Sequence, residues 1–342
     1  MAVPPHPITL ALAGDVMLGR TVNGLVRQRG PAYPWGDLLP LLWDVDLFLV
    51  NLECALTSQT DKWGERTKAF HFRADPAAIE VLRFGRVDCA ALANNHVMDF
   101  GAAGLLETVE LLRRAGIAAP GAGPNQRVAG IPARLAVPGL RVHVLALADH
   151  PPEWAAGPRG PGINYTPVSL DPEDLNRVTQ AVRAAREGAD GVVVSMHWGP
   201  NMQDRPRQEF QAFARAVVDA GADVFWGHSA HVVQGVELRG RSLILYDTGD
   251  LIDDYTVDPE LRNDRTALFL LRFVGGTLQR LDVVPVRISN CQANLATGED
   301  REWRLRRLEE LSGRFGTAFR HEGGRLVATL PGEMPALVAA RK

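Results

Sequence analysis

The sequence predicts an α/β fold built on a largely parallel sheet, and three observations carry that expectation. Short apolar runs alternate with amphipathic helical stretches through the first two-thirds of the chain, the rhythm of βαβ units. The apolar runs are continuous rather than alternating, which suits strands covered on both faces. Almost every run also ends in residues that can hold a ligand, and in open α/β sheets the ligand crevice lies at the carboxyl ends of the strands.

The elements follow in order. Residues 8–13 (ITLALA) form the first strand candidate, ending at Gly14-Asp15. Residues 47–50 (LFLV) run into Asn51-Leu52-Glu53, and 89–93 (CAALA) into Asn94-Asn95-His96. Residues 142–148 (VHVLALA) lead to Asp149-His150, 192–196 (VVVSM) to His197, and 224–226 (VFW) to Gly227-His228. Between them, Leu105, Leu106, Val109 and Leu112 predict a helix over 101–115 that stops at Gly116. Asp171 followed by Pro172 starts a second helix that ends near Gly188, a cap with Pro in the first turn. Phe210, Phe213, Ala214 and Val217 mark a third over 207–220. After residue 231 the texture turns to strands, at 232–238, 242–246, 267–274 and 278–288, with Gly275-Gly276 as a hairpin signal. A helix over 302–315 and a last strand over 325–330 complete the reading, and Gly157–Gly162 is a surface loop or hinge. No composition shift divides the chain, so residues 1–342 read as one domain, with the motif-bearing part at 8–240 and a β-rich completion at 241–342.

Composition sets the function classes. The 342 residues are 46% hydrophobic and 23% charged, with a formal net charge of -3. That is globular and gives no prior for nucleic-acid binding. Of the 37 basic residues only Lys62, Lys68 and Lys342 are lysine, and the arginines are scattered. Cys54, Cys89 and Cys291 are odd in number and far apart, which excludes a zinc ribbon or CxxC redox site and disfavours a disulfide framework. The N-terminal stretch lacks a basic region before its short apolar run, and no run approaches the roughly 18 apolar residues of a membrane span. The expectation is a soluble, cytoplasmic chain with a small-molecule, peptide or polymer partner.

The strand ends carry the chemistry. Asp15, Asn51, Glu53, Asn94, Asn95, His96, His197, His228 and His231 would converge at one edge of a parallel sheet. Carboxylates, amides and neutral imidazoles, with no thiolate set, suit Mn, Fe, Zn or Mg. Two such ions can clamp a phosphate and activate a water. Taken singly, each piece has a plain structural reading: a turn at Gly14-Asp15, a loop start at Asn51-Leu52-Glu53, a turn and cap at Asn94–His96, a hydrogen-bonded core imidazole at His197. Jointly those readings need five coincidences at one edge. Arg20 could meet a substrate anion or sit on a helix surface. The acidic stretch Asp247–Asp258 lacks EF-hand spacing and reads as a solvated loop.

Five motifs, GDVMLGR (14–20), NLE (51–53), NNHVMDFG (94–101), HWG (197–199) and GHSAHVVQGVE (227–237), together resemble the CapA (poly-γ-glutamate capsule biosynthesis) family of the calcineurin-like metallophosphoesterase superfamily. The segment YDTGDLIDDY (246–255) resembles a branch of the same family. The resemblance implies a four-layer α/β/β/α sandwich and one or two divalent ions. It implies Asp15 and His231 on the first ion, Glu53 bridging, and Asn95, His197 and His228 on the second. It also implies a catalytic set of His96, Arg20 and Asp99, with His96 protonating the leaving group or orienting the substrate. Where phosphoesterases of the superfamily carry His two residues after the first Asp, this chain has Met17, so the first ion loses a ligand. The implied function is a metal-dependent hydrolase linked to capsule polymer synthesis. The alternatives are a metal-dependent peptide epimerase, for which the ligand position left open at Met17 is the motive, and a non-catalytic polymer-assembly protein.

Overall fold

The computed structural model describes residues 6–64 and 68–330. Residues 1–5, 65–67 and 331–342, which the single-domain expectation includes, lie outside the described residues. The architecture is mixed α/β, with two large sheets where the sequence reading invoked one edge. The first sheet runs in the order Arg320–Glu322, Arg325–Thr329, Thr277–Ser289, Arg265–Val274, Ile8–Val16, Leu47–Leu52, Cys89–Ala91, and short strands Asp250–Ile252 and Gln292–Leu295 add to it beside Ile8–Val16 and Thr277–Ser289. The second runs Val236–Arg239, Ser242–Leu245, Val224–His228, Gly191–His197, Leu140–Ala148, Ala133–Val137. The motif-bearing strands are parallel within each sheet: Ile8–Val16 with Leu47–Leu52 and Cys89–Ala91, and Leu140–Ala148 with Gly191–His197 and Val224–His228.

Side-chain alternation divides the second sheet between two cores. Val142, Val144, Ala146, Val193, Val224 and Trp226 join Leu10, Leu12, Leu49 and Phe269 of the first sheet in one buried cluster. Leu145, Leu147, Val192, Val194, Met196 and Phe225 point the other way, onto Val178, Val182, Phe213 and Val217 of the helices Pro172–Arg186 and Gln208–Asp219. Continuous apolar strands are the result of that double covering. Each fully buried Leu or Phe stabilises the fold by about 1.5–3 kcal/mol. The indole Nε1 of Trp226 donates to the Ala13 carbonyl (3.0 Å) and so ties the sheets together at their core.

The helix boundaries follow local chemistry. Gly101–Ala115 ends at Gly116, whose φ of 75° is the left-handed cap conformation that glycine favours. In Pro172–Arg186 the Asp171 side chain accepts from the Glu173 amide (2.9 Å), as a cap before Pro172 should. The helix expected at 302–315 begins earlier, spanning Gly298–Gly313. The strand expected over 232–238 shortens to Val236–Arg239, because 229–235 turns away as a loop. Gly14-Asp15, which taken singly would read as a turn, is strand: the Asp15 amide donates to the Gly249 carbonyl (2.9 Å), and pairing continues to Val16. All three cysteines are buried and free. No helix among the described residues is long and apolar enough to cross a membrane.

That close approach makes Gly14 irreplaceable on steric grounds, since a Cβ there would lie 1.7 Å from the Gly249 carbonyl oxygen. Gly14→Ala is therefore expected to destabilise by about 3 kcal/mol, the upper range for overpacking, in urea unfolding. A loss under about 0.5 kcal/mol would mean that the strand separates from the 248–250 segment without cost.

Candidate metal centre

Register places the first carboxylate. Asp15 pairs across to Asn51 on one side and to Asp250 on the other. It is fully buried. Asn51 Nδ2 donates to Asp15 Oδ1 (2.7 Å), and Asn94 Nδ2 donates to Asn51 Oδ1 (3.1 Å). Asn94 Oδ1 in turn accepts from the amides of His96 and Val97, both 3.0 Å, which fixes the turn after Cys89–Ala91. Asn51 and Asn94 thus hold the carboxylate and the loop.

The second sheet supplies imidazoles. His197 and His228 are directly paired in neighbouring strands. Their Nδ1 atoms lie 2.9 Å apart, and His228 Nδ1 is 3.7 Å from Asp15 Oδ1. The Ser195 hydroxyl sits 2.8 Å from His228 Nε2, which leaves Nδ1 to face the carboxylate. His197 Nε2 lies 3.1 Å from Asn95 Oδ1 and 3.9 Å from Glu53 Oε1. Trp226 stacks edge-on against His228, whereas Trp198 packs with Phe213 and Phe225 in the outer core.

His231 reaches the same carboxylate from a strained loop. Ser229 and His231 hold φ of 116° and 60°, left-handed values that cost a non-glycine residue about 1–3 kcal/mol. Asp247 secures that loop, accepting from the amides of Ala230 and Gly249, both 2.8 Å. His231 Nδ1 lies 2.9 Å from Asp250 Oδ1 and 3.4 Å from Asp15 Oδ2. The acidic stretch expected to be a solvated loop is instead part of the site: Asp247, Asp250 and Asp253 are buried. Asp250 was missed because acidic density reads as solvation. The signal was its place beside the apolar pair Leu251-Ile252. Met17 is fully buried, and its sulfur accepts from the Gly19 amide (3.0 Å).

Two groups of ligand-type atoms result, each within 4.8 Å of one another: Asp15, His197 and His228, and Asp15, Glu53, His231 and Asp250. Asp15 belongs to both. Asp15 Oδ2, Glu53 Oε1 and Asp250 Oδ2 are buried without a hydrogen-bond partner, although burial of a carboxylate oxygen ordinarily demands one. Burial drives Glu53 and Asp250 well above the usual carboxylate range, with the Asp15 charge adding to both. Burial lowers His228 to about 4 and puts His197 well below its ordinary value. Burial also opposes charge on His231, but Asp250 and Glu53 outweigh it and raise the ring.

The catalytic candidates flank the second group. His96 Nδ1 lies 2.6 Å from Asp99 Oδ2, and His96 Nε2 faces Glu53 Oε1 at 3.9 Å. Asp99 Oδ2 also accepts from the Phe72 amide (2.6 Å). Lys68 closes the array by ion-pairing with Asp99 and donating to the Asn95 carbonyl. Burial lowers His96 to about 4, against the pull of Asp99. Arg20 ion-pairs with Asp254 (2.9 Å) and lies over the rings of Phe72 and Tyr255. The Tyr255 hydroxyl donates to Glu53 Oε2 (3.1 Å). Lys68 comes from a loop without periodic pattern and carries no positional signal, whereas His150, whose ring is 5.2 Å from that of His197, follows the strand run 142–148 and Tyr255 closes the 246–255 segment.

The protonation pattern has a measurable consequence. Above pH 6.5 an unfolded chain has neutral histidines and ionised carboxylates. The folded metal-free protein still holds protons on Asp247, pushed up to about 8, on Asp253, at about 7, and on the raised His231. The native state then binds more protons than the unfolded one, so stability falls as pH rises. The urea midpoint of metal-free protein is expected to drop between pH 6.5 and 8.5, and the drop to shrink with bound manganese. The lowered His96, His197 and His228 act in the separate window below 6.5, where stability is lost as pH falls. A midpoint that rises with pH above 6.5 in metal-free protein would contradict this assignment.

The family model described as "Bacterial capsule synthesis protein PGA_cap" matches residues 9–255. A probable polyglutamine synthesis accessory protein of Mycobacterium tuberculosis (strain ATCC 25618 / H37Rv) is 32% identical over 92% of this chain and 94% of its own length. The capsule biosynthesis protein CapA of Bacillus anthracis is 29% identical, covering 82% of this chain and 67% of that one. The PGA biosynthesis protein CapA of Bacillus subtilis (strain 168) is 28% identical, covering 82% and 72%. This chain belongs to the bacterial capsule synthesis protein (PGA_cap, CapA) family.

Proposed function

We propose that this protein is a divalent-metal-dependent hydrolase of the phosphoesterase type, acting in the synthesis of a polyglutamate-like capsule polymer. The observation that carries the reading is the set of partnerless buried oxygens on Asp15, Glu53 and Asp250, clustered with His197 and His228, which burial keeps neutral, and with His231. Carboxylate oxygen and neutral imidazole nitrogen are the donor set of borderline and hard divalent ions, so the residues fit one or two cations. The link to polymer synthesis comes from the names of the relatives. The same reading carries the α/β/β/α layering, with the centre where the two sheets' strand ends meet.

In this proposal Asp15, His197 and His228, with Asn95 beside them, hold one ion. Asp15, Glu53, His231 and Asp250 hold the other. Asp15 is then the shared ligand, and Asp250 supplies what Met17 lacks, which removes the motive for an epimerase-type reaction through an open position. A bound cation supplies charge that polarises a phosphoryl oxygen and eases deprotonation of a water. Asp99 fixes the His96 tautomer with Nδ1–H directed at its carboxylate. The bare Nε2 of neutral His96 then faces the substrate as an acceptor and would take the proton that the attacking water loses. Lys68 keeps Asp99 in place.

Phosphate release from phenyl phosphate by manganese-loaded protein tests the reading. His96→Ala is expected to lower kcat about 100-fold, a typical share for one acid/base group, with metal content unchanged. A rate unaffected by this change, or by removing the metal, would reject the hydrolase assignment.

A further inference from the structure

A cavity of about 530 Å³ opens beside the centre and is bordered by His96 and His231. Its wall is chiefly apolar, formed by Phe70, Phe72, Met202, Tyr255, Val257 and Pro259. The apolar surface is laid directly against the two imidazoles. Phe72 stacks on His96 with ring centroids 3.9 Å apart, and Tyr255 meets His231 edge-on at 5.1 Å. Phe70 stands 62% exposed, a large aromatic surface left in water. Met202, at φ 56°, donates its amide hydrogen to the Ala230 carbonyl (2.8 Å), a strained backbone that keeps this residue at the cavity.

The charges point the same way. Among the described residues Arg20 is the one Lys or Arg in the lining, and Asp254 already neutralises it. His231 is likewise engaged, by Asp250, and the remaining charge of the wall is Asp258, an acid. A run of free carboxylates would meet no unengaged cation here and one repelling anion. The exposed ring of Phe70, beside the Arg20 guanidinium that already covers Phe72 and Tyr255, instead offers a stacking surface.

We infer that the substrate of this centre places an uncharged aromatic group in the cavity, next to the anionic group that reacts. The inference rests on the hydrolase reading and names its substrate class: an aryl-bearing phosphoester-type molecule rather than the carboxylates of a polyglutamate chain. Continuity with His96 and His231 makes the cavity a subsite of the centre and not a separate surface.

Calorimetric titration of the manganese-loaded full chain with three non-hydrolysable probes tests it. Phenylphosphonate is expected to bind about tenfold more tightly than methylphosphonate, the effect of burying one ring, and 3-phosphonopropionate no more tightly than methylphosphonate. Phe70→Ala, an exposed position that leaves the fold intact, is expected to cut the phenyl preference at least threefold. Equal affinities for all three, or a preference for the carboxylate probe, would overturn the aromatic subsite and leave the hydrolase reading standing. A phenyl preference that Phe70→Ala leaves unchanged would also overturn it. Failure of all three probes to bind protein that carries manganese would reject the hydrolase reading itself, and this inference with it.

Discussion

Everything at this centre depends on one fully buried carboxylate. Asp15 lies where the carboxyl ends of two sheets meet, with Asn51 and Asp250 in register beside it and His228 and His231 reaching it from the other sheet. Only one of its oxygens is hydrogen-bonded by an amide, and the other has no hydrogen bond, with the His231 ring 3.4 Å away. A buried carboxylate in that condition costs the fold several kcal/mol unless a cation or a proton meets it. The strained φ of Ser229 and His231 adds to that cost. The large shared core and the Trp226 bond across it hold the two sheets together against this expense.

Much of the fold was legible because it is written locally. Continuous apolar runs gave the parallel strands, and Gly116 and Asp171-Pro172 gave helix ends, since caps and periods act over a few residues. What was not legible was which strand joins which sheet. His197 and His228 stand at the ends of one sheet, and Asp15 and Glu53 at or just beyond the ends of the other. Only long-range pairing makes them neighbours, and no local pattern encodes it.

The site divides in the same way. His197, His228 and Asp15 announce themselves as polar residues abutting buried strands. Asp250 does not, because its three-residue strand exists only through pairing with Ile8–Val16, and acidic neighbours disguise it. Lys68 and Tyr255 come from loops whose paths are set by what they pack on, Asp99 and Trp154 for the one, Phe72 and His231 for the other. The aromatic wall on that side gives the centre an apolar border, where electrostatic interactions act with little screening.

In the proposed centre Asp15 is shared by two ion positions. Elemental analysis of protein purified without chelator or metal-binding tag, then loaded with manganese and desalted, tests it directly. A shared Asp15 should give two equivalents in the natural sequence, one in Asp250→Asn, and near zero in Asp15→Asn with the fold retained by circular dichroism. Two equivalents surviving in Asp15→Asn, or none in the natural sequence, would contradict it.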